Sequence, residues 1–217
     1  MSSEHHRLPT LSAQALACRR GERWLFHGLA LTLPAGRALW LRGRNGRGKT
    51  SLLRLAAGLA EPAAGTLQWG DEPLARSARF RRERVWIGHG NALKDDLSAA
   101  EALRFVARLH GRRFDAPRIA AALEGAGVAT HAVRPVRTLS QGQRRRVALA
   151  RLALEDAPGL WLLDEPFDAL DADALRWLAR LAAAHVARGG SLMFASHQPP
   201  PQGMPAVDVL DLDEVRP

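Results

Sequence analysis

Cysteine is almost absent, with Cys18 the only one in 217 residues. A single thiol builds no intramolecular disulfide, no Cys-based zinc site and no C-x-x-C-H haem-attachment signal. It suits a reducing compartment. Tyrosine is missing altogether, and aromatic residues make up only 6% of the chain. The longest apolar stretches, such as Leu160 to Leu163, fall far short of the roughly 18 residues that a membrane-spanning helix needs. Met1 to Arg23 lacks the basic start, apolar middle and small-residue cleavage site of a secretory signal. The chain is therefore expected not to cross a membrane by itself.

Lysine is scarce as well. Only Lys49 and Lys94 occur, so arginine carries nearly all the cationic charge behind the net +9. These arginines are spread along the chain rather than massed in one run, which reads as a compositional habit and not as a nucleic-acid surface; no nucleic-acid partner is expected. The remaining composition, 47% hydrophobic and 24% charged, is that of an ordinary globular protein. The length fits one domain, or one domain with an inserted lobe. It buries roughly 70% of the surface exposed by the unfolded chain, without metal or disulfide staples.

Residues 1–8, including His5 and His6, read as a terminal tail and not as a metal site. Alternation of apolar and polar residues from Leu11 to Leu33 predicts an antiparallel β piece. After the turn Pro34-Ala35-Gly36, the run Ala38 to Leu41 predicts a short buried strand, and Thr50 to Ala60 carries Leu52, Leu53, Leu55, Ala56 and Leu59 at helical spacing. Thr66, Leu67 and Trp69 read as a strand near the surface, and Val85-Trp86-Ile87 as another buried one behind the basic stretch Arg76 to Arg84. Helix-like patterns from Leu97 to Leu123, broken near Gly111 and Pro117, predict a small helical lobe over residues 91–136. Gln141 to Leu154 reads as a helix with Ser140 as N-cap and Gln143 as its capping-box partner. Leu160–Leu163 and Ser191–Ser196 read as strands flanking an amphipathic helix from Asp173 to Arg188. Strand and helix alternate in the first and last thirds, which predicts an α/β fold with a parallel sheet, its core over residues 8–90 and 137–212.

Three segments carry chemistry. Gly43-Arg44-Asn45-Gly46-Arg47-Gly48-Lys49-Thr50 matches G-x-x-x-x-G-K-[ST] between a strand and a helix, with Ser51 next in the helix. Its glycines let successive N–H groups face phosphate oxygens, and the helix N-terminus adds a positive dipole end. Lys49 is placed to reach the β- and γ-phosphates and the Thr50 hydroxyl to ligate Mg²⁺. The apolar strand Leu160 to Leu163 ends in Asp164-Glu165, where the first carboxylate suits the Mg²⁺ shell and the second an attacking water. The third segment, Leu139-Ser140-Gln141-Gly142-Gln143, lies with its serine 24 residues before Asp164. Alone it would be a helix cap.

In this order and spacing, the segments resemble the ATP-binding subunits of ABC transporters, whose signature commonly reads LSGGQ. The resemblance covers roughly residues 8–212 and implies a P-loop ATPase core with an inserted helical lobe. It implies ATP and Mg²⁺ as cofactors and a head-to-tail homodimer, in which the signature of one subunit, here Leu139 to Gln143, caps the γ-phosphate bound by the other. Glu165 then corresponds to the catalytic glutamate and Asp171, in Ala169-Leu170-Asp171, to the D-loop. His197, 32 residues past Glu165, corresponds to the γ-phosphate-sensing histidine. Two departures stand out. The loop Gly88-His89-Gly90-Asn91 has no glutamine where the family places one against Mg²⁺ and water, so either His89 substitutes or the contact is lost. No tyrosine is available to stack on adenine, leaving Arg19, Arg20 or Trp24.

Short length, the turn after Trp69, the run Leu163 to Asp171 and His197-Gln198-Pro199 further resemble the ATP-binding subunits of cytochrome c maturation haem exporters. That implies integral membrane subunits of the same system as partners and a peripheral position on the cytoplasmic face of the bacterial inner membrane. Nothing in composition or spacing points to haem. His27, His110, His131 and His185 read as structural or solvated, and no direct haem binding is expected. Another cargo, a soluble ABC-type ATPase and a P-loop kinase are the alternatives. The last of these has no use for Leu139 to Gln143.

Overall fold

The computed structural model describes residues 8–216, so the tail containing His5 and His6 lies outside the described residues. In chain order the elements are β1 (Leu11–Arg20), β2 (Arg23–Leu33), β3 (Ala38–Arg42), α1 (Lys49–Ala56), β4 (Ala64–Trp69), β5 (Glu72–Pro73), α2 (Ala78–Glu83), β6 (Arg84–Ile87), α3 (Ala99–Leu109), α4 (Ala116–Gly125), α5 (Gln141–Ala150), β7 (Leu160–Asp164), α6 (Ala172–Ala187), β8 (Ser191–Ala195) and β9 (Val207–Asp211). The alternating stretch from Leu11 to Leu33 forms β1 and β2, paired antiparallel across Gly21–Glu22; with β4 and β5 they make one sheet in the order β2-β1-β4-β5. The short apolar runs form a second sheet, β6-β7-β8-β3-β9, in which every neighbouring pair is parallel.

A parallel sheet must be covered on both faces, and residue parity along its strands shows how. In β7, Leu160 and Leu162 join the core under the antiparallel sheet and α1, while Trp161 and Leu163 join the core under α3 to α6. In β8, Met193 and Ala195 face the first core, and Leu192 and Phe194 the second. Each fully buried aliphatic or aromatic side chain of this kind stabilises the fold by about 1.5–3 kcal/mol. Because the strands run parallel, the C-terminal ends of β3, β6, β7 and β8 emerge at one edge of the sheet. Residues 43–48, 88–91, 164–165 and 196–197 follow directly. Among the described residues, no helix is long and apolar enough to cross a membrane.

Several sequence expectations change in detail. The helix from Thr50 is shorter than expected: α1 ends at Ala56, Gly58 turns left-handed at φ 64°, and Leu59 is exposed instead of extending the apolar stripe. The strand at Thr66–Trp69 lies near the surface as expected, with Thr66 exposed, but its other face is buried. Trp69 is buried and donates its indole N–H to Glu83 at 2.9 Å. Arg76 to Arg84 contains α2, capped by Ser77 and anchored by buried Phe80. The expected helix to Leu154 is α-helical only to Ala150, then tightens into a 3₁₀ turn over Arg151–Leu154, where buried Arg151 reaches buried Glu155 at 3.7 Å. Pro117 sits in the first turn of α4, where proline's missing N–H costs nothing. The parallel strand β9 was not anticipated.

Helix α6 also buries His185 completely, with its ring stacked on Trp161 at a centroid distance of 3.8 Å and 9° between planes. Nε2 lies 3.1 Å from the Gly159 carbonyl and 3.2 Å from that of Ser191, so this nitrogen carries the proton of the neutral ring. Burial pushes the imidazole down from 6.5 to about 4, against the opposite pull of the two carbonyls. Between those values the unfolded chain binds a proton that the folded chain refuses. Stability from this residue is therefore intact above pH 6.5 and is lost as pH falls towards 4, by about 3 kcal/mol in all. Urea unfolding across this range should show that loss, and His185→Phe, which keeps the stacking and removes the titration, should flatten the slope.

Candidate nucleotide site

The loop after β3 depends on glycine: Gly43, Gly46 and Gly48 have φ of 131°, 80° and 98°, a region that L side chains rarely adopt. A Cβ on Gly48 would also press on Leu25 at 3.2 Å and Phe26 at 3.3 Å. Helix α1 starts immediately after this loop. No side chain caps it and no acidic residue lies in its first turn, so its leading N–H groups and dipole end are left for an anion. Lys49 is buried, and its ammonium donates to the loop's own carbonyls, Gly43 at 2.6 Å and Arg44 at 3.3 Å.

Asp164 ends β7 and is 3% exposed. The Thr50 hydroxyl lies 3.1 and 3.0 Å from its two carboxylate oxygens. Burial pushes the Asp164 carboxyl up, while the Thr50 hydroxyl and the charges of His89, Arg145 and Lys49 pull it back. Glu165 turns left-handed at φ 48°, unusual for a residue with a side chain, and its N–H is held by the Ala195 carbonyl at 2.9 Å. Its carboxylate accepts the His197 N–H at 3.2 Å, and the His197 Nε2 lies 3.2 Å from the other oxygen. Burial raises the Glu165 carboxyl as well. The His197 N–H opposes this, and the carboxylates of Asp168 and Asp164 add to the rise.

These groups border one cleft of about 450 Å³. Asn45, Gly46, Gly48, Lys49, Thr50, Ser51, His89, Asp164, Glu165 and His197 all line it, as expected positions for a nucleotide. The side chains of Arg44 and Arg47 do not. Arg47 donates to the carbonyls of Leu212 and Val215, and Asp213 takes both the N–H and the guanidinium of Arg44. Gly43 contributes only its carbonyl, to Lys49. Arg20, Arg23 and Leu25 line the same cleft. Arg19 and Trp24 are cross-strand partners on the opposite face of the hairpin, which removes both from the cleft.

The signature segment lies elsewhere. None of Leu139, Ser140, Gln141, Gly142 or Gln143 borders the cleft of its own chain. Ser140 caps α5 reciprocally with Gln143, through bonds of 3.2 and 2.9 Å. Asp171 caps α6 through the Ala174 N–H at 3.0 Å and pairs with Arg146. Sequence reasoning missed Arg23, Asp168 and Arg145. Arg23 was readable as the cross-strand partner of Arg20 in a two-residue hairpin. The contacts of Arg145 span distant segments and left no local signal beyond a run of three arginines.

The ABC transporter family model matches residues 26–168. The chain belongs to the ABC transporter family. It is 46% identical over 208 residues to the cytochrome c biogenesis ATP-binding export protein CcmA of Aromatoleum aromaticum, covering 95% of this chain and 97% of that one. It is 47% identical over 192 residues to the protein of the same name from Salmonella typhi, covering 88% and 91%. Among solved structures, an ABC transporter ATP-binding protein from Pyrococcus furiosus superposes with a TM-score of 0.80 at 22% identity, covering 95% of this chain and 98% of that one. A dimeric ATP-binding cassette solved in a post-hydrolysis state with ADP and Pi gives 0.72 at 21% identity, covering 87% and 88%. As an ABC ATPase of the cytochrome c biogenesis export group, the chain binds ATP, and its hydrolysis is coupled to transport.

The site geometry makes Thr50 the main partner of a buried carboxylate. Thr50→Val, which keeps the shape and removes the hydroxyl, should lower unfolding stability at pH 7 by about 1–3 kcal/mol, because Asp164 loses a buried hydrogen bond. A denaturation midpoint that falls at constant m-value checks this.

Proposed function

We propose that this chain is the ATP-hydrolysing subunit of a haem exporter for cytochrome c maturation. In this reading it works as a head-to-tail homodimer beneath integral membrane subunits of that system, on the cytoplasmic face of the bacterial inner membrane. The chain forms one ATP-binding domain with a core over residues 8–90 and 137–212 and a helical lobe over residues 91–136. The observation that carries the chemical part is the arrangement of Lys49, the Thr50–Asp164 pair and the Glu165–His197 pair around one cleft. The cargo rests on the relatives' named role, export for cytochrome c biogenesis, and on the sequence resemblance.

The N–H groups of residues 46 and 48–51 would hold the triphosphate oxygens, because the loop glycines and the α1 N-terminus favour negative charge there. Lys49 exchanges the Gly43 carbonyl for phosphate oxygens. Thr50 and Asp164, an oxygen pair already in contact, fit Mg²⁺, which is commonly held by one carboxylate, a hydroxyl and substrate phosphates. When bound, that ion offsets charge on the phosphates. Glu165 takes the proton of the attacking water; its raised proton affinity suits a base that must accept one. His197 holds the Glu165 carboxylate from both its N–H and its ring and senses the γ-phosphate, while His89 occupies the wall where the family's glutamine is missing. Leu25 and the guanidiniums of Arg20 and Arg23 would hold the adenine ring, the arginines replacing an aromatic ring by cation–π stacking.

Ser140 and Gly142 stand off the cleft of their own chain, so in the homodimer they complete the site of the other copy, with Asp171 near the junction. The helical lobe and the loop from Gly88 to Asn91 pass closure on to the membrane subunits. The decisive experiment is Glu165→Gln in the assembled complex. ATP turnover should fall at least about 10²-fold, the value of a general base, while ATP affinity stays within about threefold; full turnover would overturn the assignment. For the cargo, loss of this chain should abolish covalent haem attachment to c-type cytochromes and leave b-type cytochromes intact. Normal c-type maturation in its absence would reject haem export.

A further inference from the structure

Arg144, Arg145 and Arg146 follow one another along α5, and consecutive helical residues point about 100° apart. The three guanidiniums therefore go to three different places. Arg144 donates back to the carbonyls of Leu139 at 3.2 Å and Arg137 at 2.8 Å, and Arg146 pairs with Asp171. Arg145 turns inward and is 4% exposed. Its Nη2 donates to the carbonyls of Asp164 at 2.6 Å and Glu165 at 2.8 Å. Its Nη1 donates to the Gly88 carbonyl at 2.9 Å and to Asn91 Oδ1 at 2.8 Å.

None of these partners is a carboxylate. The hydrogen bonds of Arg145 all go to neutral oxygens, and the opposite charge that offsets its burial comes from the nearby carboxylates of Asp168, Asp164 and Glu165. Two of the segments it grips are themselves in uncommon backbone conformations: Glu165 has φ 48° and Asn91 φ 56°. Such conformations persist where the surroundings hold them, and they cluster at functional sites. The planar fork, with its donors in fixed directions, serves four acceptors on two chain segments at once; an ammonium, with three donors on one atom, cannot serve all four.

We infer that Arg145 is a positioning residue for ATP hydrolysis: it fixes the peptide that carries Glu165 and ties it to the loop from Gly88 to Asn91. This inference rests on the reading of Glu165 given above. Arg145 touches neither substrate nor the reacting atoms, so its loss should appear in the rate of the bound complex and not in ATP binding.

The test uses the assembled transporter complex and separates kcat from KM. Arg145→Lys should lower kcat about 10–100-fold, the scale of losing a correctly placed reacting group, with KM for ATP within about twofold. Asn91 gives a second test that does not burden the core. Asn91→Gly keeps the left-handed backbone and removes one acceptor, so kcat should fall at constant KM. Asn91→Asp restores an acceptor and should return kcat to within about twofold of wild type. The inference is overturned if Arg145→Lys keeps its kcat, if its kcat and ATP affinity fall together, or if Asn91→Gly matches wild type. Should Arg145→Lys not fold, the Asn91 pair decides. Glu165→Gln, assayed alongside, separates the two readings: turnover surviving in that variant rejects the site assignment itself, whereas its loss with an active Arg145→Lys rejects only the positioning role.

Discussion

A carboxylate that is almost sealed from water organises this molecule. Asp164 ends a strand buried on both faces, and ionised oxygens there are tolerated only when other groups satisfy them. Thr50 meets the carboxylate at the head of α1, and Arg145 meets the carbonyl of the same residue from α5. One residue thus fixes the distance between the phosphate loop, the strand that carries the candidate base and the helix behind the signature. Burial raises its proton affinity, and the hydroxyl with the nearby cations restrains that rise.

The parallel sheet makes that convergence achievable for a short chain. Residues far apart in sequence become neighbours because β7 lies beside β8 and β8 beside β3, all pointing the same way. Ligands in open α/β sheets gather beyond the carboxyl ends of the strands for this reason. The antiparallel sheet adds what those ends lack. Its β1–β2 hairpin brings Arg20 and Arg23 to the cleft, so their positive charge comes from a different layer than that of Lys49.

Local rules made much of this legible beforehand. The phosphate loop can be read from sequence because its glycines answer to φ alone, and the Ser140 cap because Gln143 sits three residues on. The strand of Asp164 was visible as an apolar run closed by two acids. What escaped was decided by packing between distant segments. Leu59 is the local exception: it fits a helical stripe, yet its neighbour Gly58 ends the helix first. Trp24 has the chemistry to stack on a base, but hairpin register turns it outward, and only the pairing of Arg19 with Trp24 reveals that. Arg47 has phosphate-binding chemistry and spends it on the carbonyls of Leu212 and Val215, because the chain returns there after β9. Arg145 is the extreme case, since its four acceptors come from two segments, one 54–57 residues before it and the other 19–20 residues after it.

The same contrast between local and distant constraints accounts for the form of the signature in this chain. The family's common pattern has two glycines after the serine, whereas here the first is Gln141 and only Gly142 remains. Gln141 is exposed at the start of α5, so a side chain there meets solvent. Gly142 is pressed against the segment before α6: a Cβ would stand 2.6 Å from the carbonyl oxygen of Ala169, a residue already left-handed at φ 58°. Adding a side chain would displace that carbonyl and, with it, the turn leading to Asp171, which Arg146 holds from the same helix. The second glycine is therefore fixed by the fold of a single chain, and the first is free to vary with whatever the exposed end of α5 faces. In the homodimer proposed above, that face is the triphosphate of the other copy, and a glutamine amide supplies it with donors that a glycine lacks.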